Sequence, residues 1–231
     1  MDLEKIYDRT EIVLGKEKLE ILKKSHVVIC GIGGVGSYTL EALARIGVGH
    51  ITVVDKDVVD VTNINRQIIA TVDNVGNSKV EVAKKRVSLI NPAIKVDTVK
   101  EFIDETNIPT YITKDVDYVV DAIDSVESKI ALIKYCKKEN IKIISSMGTA
   151  NKLDPLKLTV TDISKTEMCP LAKIVRKRLK EEGITKVKVV YSTEPAVKTN
   201  TTTLGSVSFV PSVAGLIIAS EVVKDLTNNI E

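Results

Sequence analysis

Val27-Val28-Ile29-Cys30-Gly31-Ile32-Gly33-Gly34-Val35-Gly36-Ser37 decides how the rest of the chain is read. Four apolar or β-favouring residues lead straight into a G-x-G-x-x-G, with a helical pattern directly behind it. A strand that ends in such a turn lets a phosphate lie against bare backbone, because glycine has no Cβ to hold it off. The helix that opens at Gly34 or Val35 aims unpaired N–H groups and its positive end at the same spot. About 19 residues past Gly36, the run Ile51-Thr52-Val53-Val54 ends in Asp55, placed to accept hydrogen bonds from a ribose. Gly31, Gly33, Gly34, Gly36 and Asp55 therefore predict a nucleotide site, one that suits NAD as readily as ATP.

Working outward, helix 34–47 and strand 51–54 complete a βαβ unit closed by Gly47 and Gly49. Residues 1–25 read as a polar segment with one short helix. The turn-rich stretch 55–78 is long for a connection inside an α/β unit, and loops of that length usually serve a site. A helix from Ser78 is stopped by Asn91-Pro92; a strand near 95–103 and a short helix near 105–112 follow. Val116 to Ile123 reads as a strand running into Asp124, then come helix 126–139 and strand 141–145. Past Met147 the pattern predicts strand 156–161, helix 170–182, strand 186–191, a Thr-rich loop over 192–206, strand 207–210 and a helix from Pro211 to Leu226. This rhythm is α/β: a Rossmann-like fold whose central, mostly parallel sheet is flanked by helices, with additional C-terminal strands. No repeat or low-complexity linker divides it, so residues 1–231 are expected to form a single domain.

Composition excludes several classes. A net charge of +2 makes no global demand for nucleic acid, and two Phe with no Trp argue against a base-stacking single-strand binder. The mixed-charge start, Met1 to Lys5, does not read as a signal peptide, and the apolar run Val213 to Ala219 is too short to span a bilayer. Cys30, Cys136 and Cys169 form no C-x-x-C pair, which leaves neither a zinc knuckle nor a disulfide framework. A cytoplasmic protein with no membrane contact is expected. Cys30 and Cys136 read as packing; Cys169 reads either as a reactive thiol or, more simply, as a small apolar residue entering a helix; His26 and His50 are assigned no catalytic role.

Around the glycine turn stand groups that a dehydrogenase has no use for. Asp57, Asn63, Asn65, Arg66 and Gln67 occupy the loop past Asp55. Lys79 opens a helix, where the dipole disfavours a cation unless it reaches towards phosphate. Asp124 closes the fourth parallel strand, at the edge where open α/β sheets bind ligands, and a carboxylate there suits Mg²⁺ on a triphosphate. Arg66, Lys79 and a metal at Asp124 would together neutralise departing pyrophosphate, which is the chemistry of nucleotidyl transfer to an acid.

Gly31-Ile32-Gly33-Gly34-Val35-Gly36-Ser37, Asp55-Lys56-Asp57, Thr62-Asn63-Ile64-Asn65-Arg66-Gln67, Gly76-Asn77-Ser78-Lys79 and Asp121-Ala122-Ile123-Asp124 resemble the ubiquitin-activating-enzyme superfamily of adenylating enzymes, the ThiF, MoeB and HesA group. The resemblance implies ATP as cofactor, with Gly33 under its phosphates, Asp55 on its ribose and Asn63, Arg66 and Lys79 on its phosphates. Asp124 would be the acid that holds Mg²⁺. Asp8-Arg9-Thr10 resembles a segment whose arginine crosses a dimer interface, so Arg9 is implied to act in trans within a homodimer. In the second half, Leu153-Asp154-Pro155, Thr161-Asp162-Ile163, Cys169-Pro170-Leu171-Ala172, Tyr191-Ser192-Thr193-Glu194-Pro195 and Gly205 to Pro211 are similar to the tRNA threonylcarbamoyladenosine dehydratases. These enzymes close the threonylcarbamoyl group of a modified adenosine into a cyclic hydantoin. The implied course is adenylation of the threonine carboxylate, then ring closure within the same side chain with AMP as leaving group, which gains a large effective molarity and requires no enzyme thiol.

The tRNA-facing signal is local. Residues 165–190 carry eight Lys or Arg against three acids, and Lys173, Arg176, Lys177 and Lys180 share one helical face opposite Leu171, Ile174, Val175 and Leu179. Such a stripe suits an RNA backbone. The competing readings are activation of a ubiquitin-like sulfur carrier, an NAD-dependent oxidoreductase and a silent nucleotide-binding scaffold. The missing cysteine pairs weigh against the first, the unexplained Arg66, Lys79 and Asp124 against the second, and the intact acid and lysine positions against the third. A sulfur-relay or redox protein partner is compatible with the resemblance.

Overall fold

β1 (His26–Cys30) is buried along its whole length, and its alternation sends Val27 and Ile29 to one face of the sheet and Val28 and Cys30 to the other. A strand buried on both faces needs a helical layer on each, and the chain supplies both. The computed structural model describes residues 3–228; Met1, Asp2 and residues 229–231, part of the expected single domain, lie outside the described residues. Helices α1 (Asp8–Leu14) and α2 (Lys16–Lys24) lead into β1, and α3 (Gly36–Ile46) and β2 (His50–Val54) complete the first unit. Then come α4 (Lys79–Ile90), β3 (Lys95–Val99), α5 (Ile108–Tyr111), β4 (Tyr118–Asp121), α6 (Val126–Lys138) and β5 (Lys142–Ser146). The last third holds β6 (Leu158–Asp162), α7 (Pro170–Glu181), β7 (Lys188–Ser192) and α8 (Phe209–Thr227).

The strands lie in the order β3-β2-β1-β4-β5-β7-β6, all parallel except β6, which runs antiparallel to β7. Leu22 of α2, Leu40 and Leu43 of α3, Val80 of α4 and Ile218 of α8 pack with Val27 and Ile29 on one face. Ile108 of α5, Ile133 of α6 and Val175 and Leu179 of α7 pack with Val28 and Val119 on the other. The chain fills β1 to β3 in one direction and returns to place β4 on the far side of β1. That reversal opens a crevice above the carboxyl ends of β1 and β4.

The elements depart from expectation in four places. The N-terminal segment forms two helices, because Gly15, at φ +82°, ends α1 and starts α2 at a new angle. β3 stops at Val99, four residues short of the expected strand. No strand forms over 207–210; Phe209 and Val210 are the first turn of α8. Four residues, three of them apolar, do not distinguish a strand from a helix start, and Pro211 is tolerated in a first helical turn, where its missing N–H has no partner to lose. β4 ends at Asp121, so Asp124 sits in the loop beyond the strand and does not close it. The Asp121 carboxylate accepts the Ile123 N–H at 3.1 Å and turns the chain out of the sheet.

Candidate active site

The crevice is a cleft of ≈680 Å³, and all but two of the residues expected at the nucleotide and catalytic positions line it. Gly31, Gly33, Gly34, Asp55, Asp57, Asn63, Arg66, Lys79 and Asp124 converge there from five separate stretches of chain; Gly36 and Arg9 do not. The four glycines have different reasons to be glycine. Gly31, at φ +89°, would drive a Cβ to 2.7 Å from the Ala122 carbonyl, and one on Gly36 would stand 1.8 Å from the Gly31 oxygen. These two let the turn close on itself. Gly33 has nothing nearer than the Gln67 amide nitrogen at 3.9 Å, so its bare backbone faces the cleft. Gly34 is held between Pro211 and Arg66.

Asp55 braces the turn from below. One carboxylate oxygen accepts the Ile32 N–H at 2.7 Å and the other the Asp57 N–H at 2.9 Å, which leaves lone pairs on both for a ribose. Lys79, 6% exposed, donates from Nζ to Asp57 Oδ2 at 3.0 Å. This pairing offsets the unfavourable start of α4 and presents an ammonium at the cleft wall. Asn63 spends its carbonyl oxygen on the Asp60 N–H. Arg66 donates from one terminal nitrogen to Thr62 and Asn65, and its remaining donors are left for a ligand. Gln67 is 5% exposed, and among the described residues its buried Oε1 has no hydrogen-bond partner, which leaves an acceptor at the cleft wall. Asp124 is exposed and its carboxylate bonds to no described residue. A single free acid opposite phosphate-type donors fits Mg²⁺, which takes one or two carboxylates and completes its octahedron with phosphate oxygens and water.

The far half of the cleft is lined by Ser146 to Ala150, Leu171 and Leu204 to Ser206, none of which the sequence motifs single out as site residues. Asn151, at φ +54°, holds this wall together: its N–H donates to the Gly205 carbonyl at 2.9 Å, and its Oδ1 accepts the Gly205 N–H at 2.7 Å. Below the floor, Lys129 and Asp121 form an ion pair at 2.8 Å, both fully buried. Sequence reasoning misses this pair too. The signal for it is a lysine on the apolar stripe that continues through Ile133 and Cys136.

On α7 the inward residues are Ala172, Val175 and Leu179, while Ile174 is 48% exposed, which corrects the expected apolar face. Lys173, Lys177 and Lys180 point to solvent. Arg176 does not stand with them: its guanidinium turns back to the Thr166 carbonyl at 2.7 Å and hydroxyl at 2.6 Å. Arg178 forms a two-pronged pair with Glu127. Cys169 caps α7, its buried sulfur accepting the Ala172 N–H, and burial pushes the Cys136 thiol up to about 12. His26 and His50 stack at 3.5 Å at the opposite end of the sheet. Arg9 is exposed on α1. Among the described residues no group of three or more His, Cys, Asp or Glu is placed to hold a metal, and no helix is long and apolar enough to cross a membrane.

A cleft at the switch point of a parallel sheet, with a bare glycine turn on one side and Ser146 to Ala150 and Leu204 to Ser206 beyond, defines a nucleotide-binding α/β protein. Comparison with known proteins makes the class specific. The chain belongs to the ThiF family, which matches residues 7–231. It is 45% identical to the tRNA threonylcarbamoyladenosine dehydratase of Bacillus subtilis over 97% of this chain and 96% of that one. The crystal structure of the Escherichia coli tRNA N6-threonylcarbamoyladenosine dehydratase with ATP superposes at a TM-score of 0.93, with 38% identity over 98% of this chain and 95% of that one. A probable molybdopterin-synthase adenylyltransferase of Porphyra purpurea is 36% identical, but over only 54% of this chain.

Proposed function

We propose that this chain is an ATP-dependent tRNA threonylcarbamoyladenosine dehydratase, acting as one adenylating domain over residues 1–231. The observation that carries the reading is the extent of the likeness. It runs through both halves for the dehydratases and stops near half the chain for a relative with a different acceptor. The cleft supports it, because the compartment beyond Asp124 leaves room for an acceptor beside the nucleotide.

In this reading the triphosphate lies across Gly33, with Lys79 and Arg66 facing its charge and Asp55 the ribose. Mg²⁺ at Asp124 would supply neutralisation of the leaving pyrophosphate. A threonine carboxylate oxygen attacks the α-phosphorus and the bond to pyrophosphate breaks, giving an acyl adenylate. The carbamoyl nitrogen then attacks the acyl carbon, loses its proton, and the C–O bond to AMP breaks. The oxygen lost as formal water therefore leaves in AMP. Holding both partners of the second step in one side chain removes most of its entropic barrier. A homodimer with Arg9 reaching the partner's ATP belongs to the reading, supported by Ile12 and Val13, 84% and 82% exposed on the same helix. Lys173, Lys177 and Lys180, on the helix whose Leu171 lines the cleft, are assigned to the tRNA backbone, and the enzyme to the cytoplasm.

The test is isotopic. Threonylcarbamoylated tRNA labelled with ¹⁸O in the threonine carboxylate should yield a nucleoside lighter by one water, with label in the AMP. Water loss without label in AMP would refute the adenylate route. No loss, with ATP–pyrophosphate exchange on a sulfur-carrier protein instead, would reassign the substrate.

A further inference from the structure

We propose that Lys129 is a positioning residue for the reaction: buried and beyond reach of any ligand, it sets the Asp124 loop against the acceptor floor of the cleft. Its ammonium spends its three donors on Asp121 Oδ2 at 2.8 Å, Ser145 Oγ at 3.2 Å and the Ser146 carbonyl at 3.0 Å. Asp121 in turn takes the Ser145 hydroxyl at 2.5 Å on the same oxygen and the Ile123 N–H on the other. One cation thus ties together the ends of β4 and β5 and the first turn of α6. The two chains leaving this knot are the two walls that matter. From Asp121 the loop passes Ile123 to Asp124, and from Ser146 the backbone runs along the acceptor compartment to Gly148.

Stability alone does not explain an ion pair at this point. The neighbouring strand positions, Val119, Val120 and Ile144, are apolar and equally buried, and an apolar pair in place of a buried ion pair is commonly as stable or more so. What charge and direction add is a fixed geometry, since three hydrogen bonds from one atom allow a single arrangement of the strand ends. Asp55, Arg66 and Lys79 hang on other elements, and the glycine turn meets this loop at Ala122, whose N–H is tied to the Cys30 carbonyl at 2.9 Å without the help of Lys129. Loss of the knot should therefore leave ATP binding in place and slow the chemical step.

The inference rests on Asp124 acting on the triphosphate, so Asp124→Ala is measured alongside. The principal variant is the neutral double substitution Asp121→Asn with Lys129→Met. Calorimetric ATP affinity should stay within about threefold of the parent. The turnover number for AMP formation on threonylcarbamoylated tRNA should drop about 100-fold at saturating substrates, the size expected for a misplacement on the order of 1 Å. Turnover within about threefold of the parent would overturn the proposal, as would ATP affinity falling in step with turnover. Ser145→Ala keeps both charges and decides the matter if the double variant fails to fold. It should lower turnover about tenfold with ATP affinity unchanged, and unchanged turnover overturns the proposal. If Asp124→Ala keeps full activity, the reading of Asp124 is at fault; if only the knot variants are silent, Lys129 is.

Discussion

Gly215 of α8 lies against the first turn of α3, where a Cβ would stand 2.4 Å from the Val35 carbonyl oxygen, 3.0 Å from Tyr38 Cβ and 3.1 Å from the Thr39 nitrogen. Ordinary van der Waals separation lies near 3.5 Å, so Gly215→Ala requires the helices to separate by roughly 1 Å. The Val35 oxygen has little freedom to yield, since it accepts the Thr39 N–H at 3.1 Å, and Thr39 Oγ1 donates to the Gly215 carbonyl at 3.0 Å. Overpacking of this kind costs about 1–3 kcal/mol. In a chain of this size that lowers Tm by roughly 2–12 °C. The displaced group is also functional, because Val35 belongs to the glycine turn and lines the cleft. ATP affinity should therefore fall about tenfold, within the range that a 1 Å displacement produces. Thermal scans and an ATP titration of the variant measure both effects. A variant with the parent's Tm and affinity would show that α8 does not set the position of the phosphate turn.

Asp124→Ala should reduce AMP formation by about 100- to 1000-fold. Its Tm should stay within about 2 °C of the parent, because an exposed carboxylate that bonds to no described residue contributes little to folding; near-full turnover would refute the magnesium assignment. Glu in place of Lys173, Lys177 and Lys180 should weaken tRNA binding, most at low salt, and flatten the salt slope by roughly one unit for each phosphate left without its cation. Affinity unchanged across salt would return the stripe to solvent. His26 is held below its ordinary value, by burial first and then by the His50 charge, against the partial support of Asp115. The unfolded chain therefore takes up this proton first, so His26's contribution is full above about pH 6.5 and is lost as pH falls below it. A Tm that drops between neutral and mildly acid pH, and drops less in His26→Gln, is expected; an equal drop in both would exonerate the stack.

What the sequence could reveal followed from how local each signal was. The glycine turn, Asp55 and the β–α rhythm are written in adjacent residues, and the parallel sheet follows from them by rules of connection. Arg66, Lys79 and Asp124 are far apart in sequence, yet Arg66 and Asp124 fall in loops beyond the carboxyl ends of strands and Lys79 opens the helix that follows such a loop, so their meeting could be foreseen. Lys129 escapes notice because lysine on a helix usually means a solvated face, and its partner at Asp121 reads as part of the D-x-x-D stretch. The strand expected over 207–210 fails because so short a run carries no period that separates strand from helix, and Phe209 and Val210 join the long apolar pattern of α8. Arg176 leaves the basic stripe for Thr166, an interaction ten residues away that helical periodicity does not report.

The cleft draws its walls from residues as distant as Gly31 and Pro211. A form in which these stretches separate loses part of the site, so nucleotide favours the complete fold. ATP at 100 times its dissociation constant then adds about 2.7 kcal/mol to the folded state, which makes open molecules roughly 100-fold rarer. Proteases that act on opened chains meet correspondingly fewer of them. In a cell that runs short of ATP this protection lapses, and the abundance of the enzyme becomes tied to the energy supply its reaction consumes.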